Sequence, residues 1–163
     1  MKFLVLRTDL KEKLRYIKLM IVDAEIFTSE SGREQSVLSE KIDTDTLNSL
    51  LRNNTNIVLS SKSTNGNHSE LLNGSDSSYI SLDGLTYKEF TERLCEQYKI
   101  NKTEVAFINC TERDRSFLQS LNFSVATIDA PLEIKTNSYY VSNFTSADTL
   151  NEIIQLITSA KNS

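Results

Sequence analysis

The sequence predicts an α/β fold in which helices cover both faces of a mostly parallel sheet. Short apolar segments alternate along the chain with segments whose apolar residues recur at helical spacing. Several of the short segments are continuous apolar runs, such as Leu19-Met20-Ile21-Val22, which are typical of strands buried on both faces. Strand–helix–strand order implies right-handed crossovers and a Rossmann-like, three-layer arrangement.

The beginning of the chain contains a helix followed by the first buried strand. Residues 1–163 are interpreted as one domain with a full core, and its first segment, 1–8, is predicted to be an edge strand or a linker. A helix is predicted at Leu10–Tyr16, with a Thr-Asp pair before it as candidate cap. The strand within Ile17–Val22 follows directly.

The rest of the chain continues the alternation of strands and helices. Further strands are predicted at Asn56–Leu59, Tyr79–Leu82, Val105–Ile108, Ser124–Ile128 and Tyr139–Val141, with a small flap strand at Val37–Leu38. Further helices are predicted at Asp43–Leu51, Thr86–Tyr98, Asp114–Leu121 and Ala147–Ala160. The polar stretch 60–78 is predicted to be a mobile loop.

Composition and charge disfavour several classes of protein. A net charge of −4 argues against a surface that binds nucleic acid. No apolar run approaches the ~20 residues that a bilayer requires, and Met1–Leu6 lacks the features of a signal peptide. We therefore expect a cytoplasmic protein, or a piece of something longer, without a membrane partner. Cys95 and Cys110 are expected to be reduced and mostly buried, and His68 to be a solvated loop residue.

Acidic and hydroxyl side chains follow the first two buried strands. Asp23 and Glu25 come at the end of the first strand, and Ser60-Ser61-Lys62 ends the second. The carboxyl ends of parallel strands meet at one edge, beside the crevice in which open α/β sheets bind ligands. On an extended backbone, Asp23 and Glu25 would point the same way. The alternative interpretation is a strand that runs into an acidic, solvated turn.

Two further motifs complete the pattern. Lys88 lies near the start of a predicted helix, and Asn109-Cys110-Thr111-Glu112-Arg113-Asp114 follows the fourth strand. The order of the four motifs resembles the haloacid dehalogenase superfamily. The resemblance is closer to its small capless group, which contains 3-deoxy-manno-octulosonate 8-phosphate phosphatase and the C-terminal domain of animal CMP-sialic acid synthetases.

The resemblance implies phosphoryl transfer through an aspartyl-phosphate, with a second carboxylate for the proton and Mg²⁺ as cofactor. Carried over residue by residue, it gives Asp23 as nucleophile and metal ligand, Glu25 as acid–base, Ser60, Ser61 and Lys88 as phosphate ligands, and Asp114 as metal ligand. A paired nucleophile and acid are required because the leaving oxygen must be protonated as the covalent intermediate forms.

The chain departs from the family pattern at every motif. The family glycines are missing, and Cys110 stands where the principal metal carboxylate is expected. A thiol is a poor ligand for Mg²⁺, and Arg113 adds positive charge close by. Glu112 is two residues out of place as a substitute. We therefore expect a catalytically inactive domain without a cofactor. The alternative is a weak Mg²⁺-dependent sugar-phosphate phosphomonoesterase that uses Asp23.

The resemblance also implies partners. Its members are tetramers, so a homo-oligomer is expected, and a cytidylyltransferase domain is the implied partner in sialic acid or related sugar activation. Met1–Leu6 and the region of Val37–Leu38 are candidates for the contact between copies, or alternatively complete the core of one copy. A third interpretation is that the remaining pocket binds an anionic ligand without turning it over.

Overall fold

A computed structural model describes residues 8–27, 44–61 and 78–162. Within these ranges, six strands form one sheet in the order β3-β2-β1-β4-β5-β6, and every neighbouring pair is parallel. The strands are β1 (Leu19–Asp23), β2 (Asn56–Ser61), β3 (Ser78–Ser81), β4 (Val105–Asn109), β5 (Phe123–Ala126) and β6 (Tyr140–Val141). The helices are α1 (Thr8–Arg15), α2 (Thr44–Arg52), α3 (Tyr87–Tyr98), α4 (Arg115–Ser120), α5 (Leu132–Asn137) and α6 (Ser146–Lys161). The predicted α/β class with a parallel sheet is confirmed.

The centre of the sheet is its most buried part. Every residue of β1 and of β4 is buried, as the continuous apolar runs predict. Phe107 of β4 is fully buried, and its ring lies 4.8 Å from that of Tyr87 and 5.5 Å from that of Phe117, measured between centroids. α6 packs against α1 and α2, whereas α4 packs against α5. The core thus brings α3 and α4 close to the central strands.

The start of α3 is set by a complete capping box. Thr86 Oγ1 accepts the backbone N–H of Glu89 at 3.1 Å, and Glu89 Oε1 accepts the backbone N–H of Thr86 at 3.0 Å. The bond from Thr86 N–H lowers the pKa of the Glu89 carboxyl below its ordinary value. The box fixes the first turn and therefore the direction in which Tyr87, the first helical residue, leaves the backbone.

The structure corrects several predicted boundaries. The fifth strand ends at Ala126 and not at Ile128, because the chain turns there and Ala130 N–H donates to the Thr127 carbonyl at 3.1 Å. The mobile loop predicted at 60–78 is wrong at both ends, since Ser60 and Ser61 belong to β2 and Ser78 to β3. The structure also contains α5 and two short 3₁₀ turns, at Ala24–Phe27 and Lys102–Glu104, which the sequence does not predict.

Some predictions fall outside the described residues. These are the edge strand or linker at Met1–Leu6, the flap strand at Val37–Leu38, and the placements of Lys62 and His68. Cys95 is half-buried and Cys110 is buried, and neither forms a disulfide. None of the helices in the described ranges combines the length and hydropathy needed to cross a bilayer.

Candidate functional site

The candidate site lies at the carboxyl edge of the central strands, as predicted. In the parallel register of β1 and β2, Asp23 is paired with Ser60. Both residues are fully buried, and so is Ser61. Ser60 Oγ donates to the Val22 carbonyl at 3.1 Å, which fixes its hydroxyl against β1. The structure thus brings the predicted nucleophile and a predicted phosphate ligand together.

The Asp23 carboxylate is held by the protein itself. Its Oδ1 accepts the backbone N–H of Glu25 at 3.0 Å, and its Oδ2 accepts the hydroxyl of Thr111 at 2.7 Å. A buried carboxylate requires such donors, because an unsatisfied charge in the interior costs several kcal/mol, on the order of the penalty for a broken buried pair. Thr111, which the sequence analysis did not single out, therefore stabilises Asp23 from the end of β4.

Glu25 does not share a strand with Asp23. β1 ends at Asp23, and Ala24–Phe27 forms a 3₁₀ turn in which Glu25 is half-buried. The premise of an extended backbone from Asp23 to Glu25 is therefore wrong. What the turn supplies to Asp23 is the Glu25 backbone N–H.

Tyr87 is the site residue that sequence reasoning missed. Its side chain is fully buried, its phenol oxygen lies 2.8 Å from Ser60 Oγ, and the phenol also hydrogen-bonds to Asp23. Burial, and then the negative charge of Asp23, raise the pKa of the Tyr87 phenol far above its ordinary value. The phenol therefore stays protonated and available as a hydrogen-bond donor.

The sequence contains a pattern from which the burial of Tyr87 could have been predicted. Tyr87, Phe90 and Leu94 recur at helical spacing, and all three are buried on α3. The rings of Tyr87 and Phe90 lie edge to face with centroids 6.1 Å apart. A tyrosine on the buried face of a helix must find a partner for its hydroxyl, and the nearest strand ends carry polar side chains. That reasoning leads to a contact with the edge of the sheet.

Lys88, in contrast to the adjacent Tyr87, does not lie in the core. It lies in the first turn of α3, where it is exposed. The side chain of α3 that reaches Ser60 is Tyr87. A phosphate-binding role for Lys88 stays a prediction.

The loop after β4 is stabilised by hydrogen bonds of its own side chains. Asn109 Oδ1 accepts the N–H of Glu112 at 2.9 Å, and Glu112 Oε2 accepts the N–H of Asp114 at 3.0 Å. Asp114 caps α4, because its Oδ1 accepts the N–H of Phe117 at 3.1 Å. Cys110 is buried at the start of this loop. Asp114, the predicted residual metal ligand, thus serves as a helix cap.

Comparisons with known proteins identify the fold. No protein-family model matches the sequence, and no curated protein matches it. Among solved structures, a hypothetical protein from Xanthomonas campestris has a TM-score of 0.81 at 15% identity and covers 99% of this chain and 94% of its own. A Legionella pneumophila protein assigned to subfamily III A of the HAD superfamily hydrolases has a TM-score of 0.74 at 18% identity, covering 94% and 88%.

A phosphatase gives a similar result. The 3-deoxy-D-manno-octulosonate 8-phosphate phosphatase of Moraxella catarrhalis, solved with magnesium, phosphate and KDO, has a TM-score of 0.75 at 16% identity and covers 96% of this chain and 94% of its own. At such identities, the likeness establishes the fold. The resemblance predicted from motif order is confirmed at that level: the chain has the fold of HAD superfamily hydrolases, 3-deoxy-D-manno-octulosonate 8-phosphate phosphatases among them.

The described residues at this edge do not fit the magnesium ion that this fold implies. Among the described residues, no group of three or more His, Cys, Asp or Glu side chains is arranged to hold a metal ion. Mg²⁺ takes oxygen ligands in near-octahedral geometry. Here both oxygens of Asp23 accept hydrogen bonds, Asp114 caps α4, and Cys110 offers sulfur. The donor set at this edge therefore favours hydrogen bonding over metal coordination.

Proposed function

We propose that this chain, built on the fold of the HAD phosphatases, is a non-catalytic domain that acts by binding or assembly. The observation that carries the proposal is the state of Asp23. Its carboxylate is fully buried, and its two oxygens accept hydrogen bonds from Glu25 N–H and the Thr111 hydroxyl. A nucleophile must place an oxygen lone pair in line with phosphorus at about 3–3.5 Å. In this site, both oxygens are already hydrogen-bonded to protein donors, which lowers their nucleophilicity and fixes their orientation toward the protein.

Tyr87 adds to the same argument. Its phenol contacts Ser60 and Asp23, the two residues between which a phosphoryl group would have to lie. Entry of a phosphate ester would require the ring to leave a core in which it packs against Phe107 and Phe90. Burial of a ring of this size is worth roughly 1.5–3 kcal/mol, which a substrate would have to offset before any chemistry began.

The second candidate function is a Mg²⁺-dependent sugar-phosphate phosphomonoesterase. The comparisons favour it, since solved proteins of the same fold are named as phosphatases, one with magnesium and one in a cobalt-bound form. In this function, Asp23 would attack phosphorus and Glu25 would handle the proton, while Ser60 and Lys88 would contact the phosphate. At identities of 14–18%, the shared fold does not by itself assign that activity to this chain, so an experiment decides.

A phosphatase assay separates the two functions. We expect the purified protein, with Mg²⁺ and either p-nitrophenyl phosphate or 3-deoxy-manno-octulosonate 8-phosphate, to show no more turnover than Asp23→Asn. The matched control is Asp45→Asn, which changes an exposed aspartate of α2. Turnover that disappears in Asp23→Asn and persists in Asp45→Asn would establish the enzyme and reject the non-catalytic domain.

The remaining predictions concern the oligomeric state, the partners, the location and the ligand of the protein. A homo-oligomer and an association with a cytidylyltransferase in sialic acid or related sugar activation are supported by the motif resemblance. A cytoplasmic location is supported by two cysteines that form no disulfide. Light scattering of the purified chain tests the first of these, because a tetramer has four times the mass of the 18.5 kDa monomer. Thermal-shift screening with sugar phosphates and nucleotides tests whether the site binds an anion.

A further inference from the structure

We infer that the corner of the molecule where β5 and β6 end is a docking surface for a protein segment that carries an arginine or lysine beside apolar residues. Of the five exposed large apolar side chains in the described ranges, four lie between residues 128 and 144. They are Ile128 (42% exposed), Leu132 (76%), Val141 (36%) and Phe144 (46%). Such clustering is uncommon in parts of a surface that contact only water.

Hydrogen bonds bring the chain segments that carry these side chains to one corner of the molecule. Ile128 N–H donates to the Phe144 carbonyl at 3.0 Å, so the chains leaving β5 and β6 run side by side. Lys135 Nζ donates to the Ile128 carbonyl at 3.1 Å, which ties α5, whose first residue is Leu132, to the same corner. We call Ile128, Leu132 and Phe144 the corner patch.

The exposure of the patch suits the centre of an interface. Together with Val141, its members are between 36% and 76% exposed. The core of a protein interface is apolar and poor in charged residues, whereas its rim is polar. The corner patch therefore supplies side chains of the kind found at the centre of such a face, with carboxylates beside it at the rim.

A cavity beside Phe144 gives the patch its chemical preference. It has a volume of about 230 Å³ and is lined by Phe144, Asp148, Asn151, Glu152 and Gln155. These described lining residues include two carboxylates, two amides and an aromatic ring, but no cationic side chain. An aromatic face next to carboxylates attracts a guanidinium or ammonium group. The cavity is large enough for the side chain of an arginine or lysine.

The Glu152 carboxylate is already fixed in position. Its Oε2 accepts the hydroxyl of Tyr140 and its Oε1 accepts that of Ser142, each at 2.6 Å. Each carboxylate oxygen has a second lone pair that can accept from a partner. A carboxylate with a fixed orientation loses little side-chain entropy when it binds a cation, which favours association.

Charge decides between a basic partner and a second copy of this chain. The chain has a net charge of −4, and the carboxylate residues Asp148 and Glu152 line the cavity beside the corner patch. Two copies related by a two-fold axis through the patch would bring these carboxylates close to one another. Like charges placed together at an interface cost free energy, whereas a basic segment would neutralise them.

The inference deepens the proposed function, and it rests on that function only in assigning the domain a binding role. The probe is a fluorescein-labelled heptapeptide with two arginines among leucines, and its control is a twin with citrulline in place of arginine. Citrulline keeps the shape of the side chain and removes the charge. We expect the arginine peptide to bind at least tenfold more tightly than its twin, since charge-assisted bonds are about twice as strong as neutral ones.

Variants locate the site on the molecule. Phe144→Ser and Asp148→Asn should each weaken binding of the arginine peptide about fivefold to tenfold. Tyr16→Ser, which changes the fifth exposed large apolar side chain, should leave binding unchanged. All three positions are on the surface, so the folded state is retained.

Several results would overturn the inference. These are equal binding of both peptides, equal binding to all variants, no binding of either peptide, or a dimer in sedimentation that Leu132→Asp dissociates. The last result would give the patch to a second copy. The phosphatase assay does not measure binding at the corner patch. A positive phosphatase assay would therefore reject the proposed function without affecting this surface, and failed peptide binding would reject the surface alone.

Discussion

The carboxyl edge of the sheet has a closed part and an open part, which differ in what occupies them. Around β1, β2 and β4, polar side chains are buried and bonded to one another, with Asp23 at the centre of the contacts. Around β5 and β6, apolar side chains such as Leu132 are exposed beside carboxylates. In open α/β sheets ligands bind at this edge. Under the proposed function and the inferred docking surface, binding takes place at the end of the sheet and not at the central strands.

The largest effect expected from this comparison comes from Tyr87→Ala. Loss of a fully buried ring and of its hydroxyl contacts should lower the free energy of unfolding by about 3–5 kcal/mol. Phe144→Ala in the open part should cost less than about 1 kcal/mol, since that ring is already half exposed. Urea denaturation of both variants measures the contrast. Similar losses in the two variants would mean that the two parts do not differ in packing.

A smaller effect is expected from Thr111→Val. The change keeps the shape of the side chain and removes the 2.7 Å donor to Asp23 Oδ2, so it should cost about 1.5–3 kcal/mol. Thr103→Val, on an exposed threonine of a 3₁₀ turn, is the matched control and should cost about 0.5 kcal/mol or less. If Thr111→Val is as stable as the control, the Thr111 hydroxyl does not stabilise Asp23. The hydrogen bonds of the closed part would then contribute less to stability than their geometry indicates.

The smallest effect concerns alkaline pH and compares one tyrosine from each part. Burial raises the pKa of the Tyr87 phenol, and burial with the Glu152 hydrogen bond raises that of Tyr140. In the unfolded chain, both ionise near pH 10, so their stabilising contributions are full below about pH 10 and are lost as pH rises above it. Between about pH 8 and pH 11, the wild type should lose stability in urea titrations.

Single variants show how much each tyrosine contributes to this loss of stability at alkaline pH. Tyr87→Phe should reduce the loss more than Tyr140→Phe does, because Tyr87 is fully buried and Tyr140 only half-buried. Tyr16→Phe, at an exposed position, should leave it unchanged. A loss in Tyr87→Phe equal to that of the wild type would show that this phenol ionises without hindrance, against the burial that the structure gives it.

The fold could be predicted from the sequence because strands buried on both faces consist of continuous apolar runs. The run Leu19-Met20-Ile21-Val22 is apolar on both faces, and it forms the central strand. The strand predicted at Ser124–Ile128 is too long at its end. Ile128 is apolar and continues the pattern of the strand, although the chain has already turned after Ala126. α5 was missed because Leu132–Asn137 is short and carries one buried residue, Ile134, which leaves no periodic pattern.

The candidate site was only partly predictable. The strand ends that carry Asp23 and Ser60 follow from the apolar runs, and their proximity follows from parallel pairing. The partners of Asp23 do not follow, because Thr111 and Tyr87 reach it from elements distant in sequence. A hydrogen bond between side chains so far apart depends on tertiary packing, which periodicity does not record.

The linked turns between β4 and α4 have a consequence for engineering a metal centre at this edge. Asn109 and Glu112 each use a side-chain oxygen to bind a backbone amide of the loop, and Asp114 uses one to bind an amide in the first turn of α4. Cys110→Asp would add an anion to this loop without releasing any of those oxygens. Installing a metal centre here would therefore require several substitutions together, because a single new carboxylate leaves the neighbouring oxygens bound to backbone amides.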